Sequence, residues 1–161
     1  MSRPPAPIPG PLWRPGETVL RRLEDLYRQL DRRLASLAWR CEACGDCCRL
    51  AEWGHEVWLT DLEIGLLAAR HGLVAPGAAG VCPYLADGLC RARAGRSLCC
   101  RIFHCAAPTA EMESLHECFA SDLRRVYREI GREPLYGELL SSLEQHGAVG
   151  GQDGDIAETS E

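Results

Sequence analysis

Cys41-Glu42-Ala43-Cys44-Gly45-Asp46-Cys47-Cys48 puts four thiols within eight residues. Cys-x-x-Cys-x-x-Cys sets successive sulfurs on a tight loop, where they can converge on one metal centre. An apolar core has no use for that spacing. Six more cysteines follow, at Cys82, Cys90, Cys99, Cys100, Cys105 and Cys118. The pattern is therefore C-x2-C-x2-C-C, then 33 residues, then C-x7-C-x8-C-C-x4-C-x12-C. Two thiol-bearing halves around a helical insertion fit the paired-donor logic of tetrahedral zinc, and ligation would make binding free energy partly folding free energy. Ten thiols exceed the four ligands of one zinc ion. That leaves spectators, several ions with bridging sulfurs, or a bound cluster.

Helices flank the octet. Before it, Leu20, Leu23, Tyr27, Leu30, Leu34 and Leu37 recur at alternating spacings of three and four, which predicts a helix over Glu17–Trp39. After it, Thr60-x-x-Glu63 has the capping-box form and predicts a helix from Thr60 that buries Leu62, Leu66 and Leu67 and stops near Gly72. Residues 73–81 read as loop. Residues 82–108 carry five cysteines with little periodicity and read as a metal-organised loop. A third helix is expected over Glu111–Ile130, from Leu115, Phe119, Leu123, Val126 and Ile130. A short fourth helix is expected to open at Pro134 and bear Leu135, Leu139 and Leu143. The fold class is thus mostly α, a small helical domain over residues 16–146 with metal-organised cysteine-rich loops. Residues 1–15, with six prolines, read as a disordered, extended leader, and the acidic, Gly-rich residues 147–161 as a disordered tail.

Composition narrows the function. The 161 residues suit one domain. A net charge of −5 argues against a nucleic-acid partner. All eighteen basic residues are Arg, which excludes Schiff-base lysines and a P-loop lysine. The Pro-rich opening has no apolar segment of the signal-peptide kind. The best apolar run, Leu59–Ala69, is interrupted by Asp61 and Glu63, so no membrane partner is expected. A cytoplasmic protein is the expectation, and in that reducing setting clustered cysteines bind metal or catalyse more often than they form disulfides.

The octet also resembles the three-cysteine run of ferredoxins, with Cys82-Pro83 in the manner of a remote fourth ligand of a [4Fe-4S] cluster. Cys48, directly after Cys47, departs from that run. Together the motifs resemble the CxxCxxCC family, described as a zinc- or iron-chelating domain. They are Cys41 to Cys48 with Gly45 in place; Cys82-Pro83-Tyr84-Leu85; Asp87-Gly88-Leu89-Cys90; and Arg96-Ser97-Leu98-Cys99-Cys100-Arg101 with Phe103. The match covers residues 41–105. It implies a ligand set of Cys41, Cys44, Cys47, Cys48, Cys82, Cys90 and Cys100, and zinc or iron as the bound metal. Ser97 stands where the family has Pro, and Cys99, Cys105 and Cys118 are additions to its pattern. Similar clusters occur within flagellin lysine methylases. An iron–sulfur redox module, or an accessory part of a protein-modifying enzyme, is therefore one alternative; a zinc-stabilised scaffold for an unidentified protein partner is another.

Other residues carry weaker signals. Cys118, at the edge of an apolar helix face, reads as buried. His104 or His55 could complete a mixed Cys/His site, though a lone histidine is more often a surface or hydrogen-bonded residue. Arg49, Arg96 and Arg101 flank the thiols and could offset thiolate charge from a second shell. Trp53 and Trp58 read as shields of the site or as core. No enzymatic signature is legible: there is no Ser/His/Asp arrangement, no Gly-rich nucleotide loop and no His-Glu-x-x-His. A thiolate held by metal is not free to attack.

Overall fold

A computed structural model describes residues 5–77 and 79–147. Residues 1–4 of the expected leader and 148–161 of the expected tail lie outside the described residues.

Helix α1, Glu17–Ala35, buries Leu20, Leu23, Leu26, Tyr27 and Leu30. It stops short of the expected Trp39 because Ser36 closes it: the Ser36 N–H and hydroxyl both donate to the Arg33 carbonyl. A short helix α2, Leu50–Trp53, follows the cysteine octet, and strand β1, Trp58–Thr60, leads into helix α3, Asp61–His71. Thr60 forms the expected capping box with Glu63, and Gly72 ends the helix. The first seven residues of α3 are all buried, so it is the central helix.

The cysteine-rich stretch is more regular than a metal-organised loop. Strands β2, Leu85–Ala86, and β3, Leu89–Cys90, form a hairpin, and helix α4 spans Leu98–Ile102. Asp87 and Gly88 both take positive φ (52° and 75°), the two-residue turn that Asp-Gly favours in a hairpin. Helix α5, Thr109–Glu129, packs on α1 and α4.

Strand β4, Tyr136–Glu138, precedes helix α6, Leu139–His146. The expected helix start at Pro134 is thus revised. The Asp61 N–H donates to the Leu135 carbonyl and the Leu135 N–H to the Asp61 carboxylate, which holds the chain extended there. β4 then pairs antiparallel with β1, Leu59 opposite Gly137.

Residues 5–15 are also revised: they lie against the domain as a strap. Ile8 is 2 % exposed and donates its N–H to Ser142 Oγ, and the Glu138 N–H donates to the Ala6 carbonyl. A Cβ at Gly137 would stand 2.2 Å from the Ile8 nitrogen, so only glycine lets the strap cross β4.

Two apolar clusters result. One joins α1, α5, Leu62 and Leu66 of α3, and Leu98 and Ile102 of α4. The other gathers Ile8, Leu59, Ile64, Leu67, Tyr84 and Leu143, with Cys48, Cys90, Cys99 and Cys100 partly buried against it. Helices α3 and α4 thus each face both clusters. No helix among the described residues is long and apolar enough to cross a membrane.

Candidate metal centre

All ten cysteines are free thiols. The octet is folded as a 3-10 turn over Asp46–Cys48, entered through Gly45 at φ 77°. That glycine is required by space as well as by φ. A Cβ on Gly45 would lie 2.9 Å from Leu85 Cδ1, and one on Gly88 would lie 2.6 Å from the Ala43 carbonyl oxygen. The octet therefore sits directly on the turn of the β2–β3 hairpin, backbone against backbone. The Cys82 N–H donates to the Cys48 carbonyl at 2.8 Å, which fixes the second loop to the first.

This docking gathers Cys47, Cys48, Cys82 and Cys90. Cys47 and Cys48 Sγ are 4.0 Å apart, within hydrogen-bonding range for sulfur, and Cys82 and Cys90 line the same cavity beside them. The four thiols share protons unequally. The neighbouring Cys48 thiol lowers Cys47 and Cys90 to about 6 against the opposing effect of burial, and Arg96 adds to both shifts. Cys82 is lowered by the same partner. Cys48, beside all three, is raised. The half-buried Arg96 guanidinium is well placed for this: its Nε is buried without a hydrogen-bond partner, and its Nη1 approaches the Cys100 carbonyl at 3.4 Å.

The quartet lines a cavity of about 160 Å³ that is closed on other sides by Tyr84, Leu59, Leu67 and Phe103. Cys99 and Cys100 also line it, from α4. Ser97 caps that helix by accepting from the Cys100 N–H, and buried Glu63 accepts from the Leu98 N–H at 2.7 Å, so α4 is anchored to α3. Burial raises the Cys99 thiol to about 11 and the Cys100 thiol to about 12. Cys99 has other partners: it donates to the Trp58 carbonyl at 3.4 Å and lies 3.6 Å from His116 Nε2. His116 carries no signal in the sequence, since only the packing of α5 on α4 brings it there.

Of the seven expected ligands, Cys41 and Cys44 stand apart from the quartet's cavity. They are exposed and line a neighbouring cleft with Cys105 and His104. Cys118 is exposed, not buried, on the outer side of α5. His55 stacks its ring edge against Phe103 at 5.4 Å. Trp53 and Trp58 are 54 % and 42 % exposed, so neither shields the site nor fills the core. Arg101 turns away from the thiols. It is buried, pairs with Asp31 at 2.9 Å, donates to the carbonyls of Ala94 and Arg96, and stacks over Tyr27 at 4.3 Å. Arg49 pairs with Asp46 at the surface.

The donor set fits a thiophilic ion. Zn–S bonds of about 2.3 Å imply tetrahedral S···S edges of about 3.8 Å, close to the 4.0 Å between Cys47 and Cys48. The shell is not closed as it stands: no three His, Cys, Asp or Glu side chains among the described residues are already arranged to hold an ion. Comparison of the chain with family models, with curated proteins and with solved structures gave no match, so the resemblance to the CxxCxxCC family stands on the cysteine motifs alone.

Proposed function

We propose that this chain is a metal-binding protein that chelates zinc or iron through its cysteine cluster, with Cys47, Cys48, Cys82 and Cys90 as ligands. The observation that carries this reading is that Cys47, Cys48, Cys82 and Cys90, drawn from two loops, line one cavity, with the Cys47 and Cys48 sulfurs 4.0 Å apart. A divalent ion replaces the shared protons and satisfies every sulfur at once. Four thiolates around one such ion leave two negative charges, which the unpaired Nε face of Arg96 offsets. A closed four-thiolate shell is structural, not catalytic. The short Cys47–Cys48 distance favours a single ion over an iron–sulfur cluster, which spreads its thiolates over separate iron corners. A reducing cytoplasm suits a chain with ten free thiols.

Anaerobic purification, elemental analysis and an absorption spectrum test the reading. Colourless protein with zinc, reduced in amount in Cys48→Ser and Cys82→Ser and unchanged in Cys118→Ser, is the expected result. Brown protein with a broad visible band that dithionite bleaches would establish the iron–sulfur alternative. Protein that takes up neither metal on reconstitution, or keeps its full metal content after both quartet substitutions, would overturn the assignment.

A further inference from the structure

The cleft beside the quartet has a donor set of its own. It measures about 40 Å³, and Cys41, Cys44, Cys105 and His104 line it. Cys44 and Cys105 meet at this cleft although 61 positions separate them in sequence. His104 Nδ1 lies 3.0 Å from the Ile102 carbonyl. A carbonyl only accepts, so Nδ1 is the donor and Nε2 of the neutral ring keeps its lone pair. Metal-bound histidines are oriented in this way, by a backbone carbonyl on the other nitrogen. The Trp39 ring, 5.7 Å from the imidazole, braces it further.

We propose that Cys41, Cys44, Cys105 and His104 form a second zinc site, adjacent to the first. The site takes one donor pair from Cys-x2-Cys and one from His-Cys, the two-loop pairing that structural zinc uses, and its set is Cys3His. Three thiolates and a neutral imidazole around zinc carry one negative charge, and Arg93 and Arg96 line the same cleft. Cys47, Cys48 and Cys90 line both cavities, so the two ions share a wall. The donors do not yet surround a common point; binding draws residues 41–44 and 104–105 together. The inference rests on the preceding reading in one respect, that Cys47 and Cys48 belong to the first ion.

The test counts ions. Metal-free protein, prepared anaerobically, is titrated with Zn2+ against a chromophoric chelator. Two ions per wild-type chain are expected. Cys41→Ser/Cys44→Ser/Cys105→Ser, all at exposed positions, should bind one ion, as should Cys82→Ser/Cys90→Ser. Circular dichroism checks that each variant is folded. His104→Gln, a milder change, should weaken one ion and leave the other unchanged. Co2+ bound to Cys82→Ser/Cys90→Ser should show the ligand-field bands of a three-sulfur, one-nitrogen site. One ion, lost with the quartet variant and kept by the triple variant, overturns the second site and leaves the first. The reverse pattern upholds the second site and removes the quartet assignment. One ion lost in both variants means a single shared centre and overturns the second site; no ion at all overturns both.

Discussion

The two halves of the molecule are held together by different means. Around α1 and α5, buried Leu20, Leu23, Leu30, Phe119, Leu123 and Tyr127 interlock along two long helices. Around the quartet, elements of two to five residues meet through glycine contacts, carbonyl bonds and sulfur. The first half draws its stability from removing apolar surface from water, which long amphipathic helices do well. The second has an apolar cluster of its own, built on Ile8, Leu59, Ile64, Leu67 and Leu143, and sets its thiols against one side of it. Helices α3 and α4 join the halves, because each presents one face to either cluster.

The sharpest way to break the contrast is to damage the helical half. Leu23 is 0 % exposed, and Leu23→Ala should cost about 3–4 kcal/mol, unfolding both halves together in urea. Loss of stability confined to one half would show that the clusters fold separately. The joint comes next. Glu63 accepts from the Thr60 N–H and hydroxyl, the Tyr27 hydroxyl and the Leu98 N–H. Glu63→Ala strands those donors in the interior and should cost about 3 kcal/mol. It should also loosen α4, seen as faster amide exchange at Leu98–Ile102.

Gly88→Ala probes the cysteine half alone. Its Cβ meets the Ala43 carbonyl at 2.6 Å and its φ is positive, so a cost of about 1–2 kcal/mol is expected together with weaker Zn2+ uptake. Stability that falls while Zn2+ affinity holds would separate the hairpin contact from the metal centre. Arg91→Ala, at an exposed pair with Asp87 in the same hairpin, should change stability by less than about 0.5 kcal/mol and leave metal uptake unchanged.

The same division governs what the sequence revealed. Helices α1, α3 and α5 were readable because periodicity, Thr60 and Gly72 act over one turn. The β1–β4 pairing was not, because its three-residue strands are too short to show alternation and their partners are remote in sequence. Cys41 to Cys48 raised the expectation of a metal centre, yet nothing local told Cys47 and Cys48 from Cys41 and Cys44. Their separation follows from how the 3-10 turn lands on the Asp87-Gly88 hairpin. Arg101 carried the same local signal as Arg96, but Asp31 and Tyr27 on α1 draw it into the core. The Glu63 capping role was legible; its bonds to Tyr27 and Leu98 come only from tertiary packing.

The docked N-terminal strap sets an order of events during synthesis. Ala6 and Ile8 are made well before Glu138, Ser142 and Gln145, which bond to them; 134 positions separate Ile8 from Ser142. At about 5–20 residues per second, the strap waits roughly ten seconds for its partners. The cysteine loops are complete before then, so they dock while the domain is still open at that edge, and α6 closes over Ile8 after them.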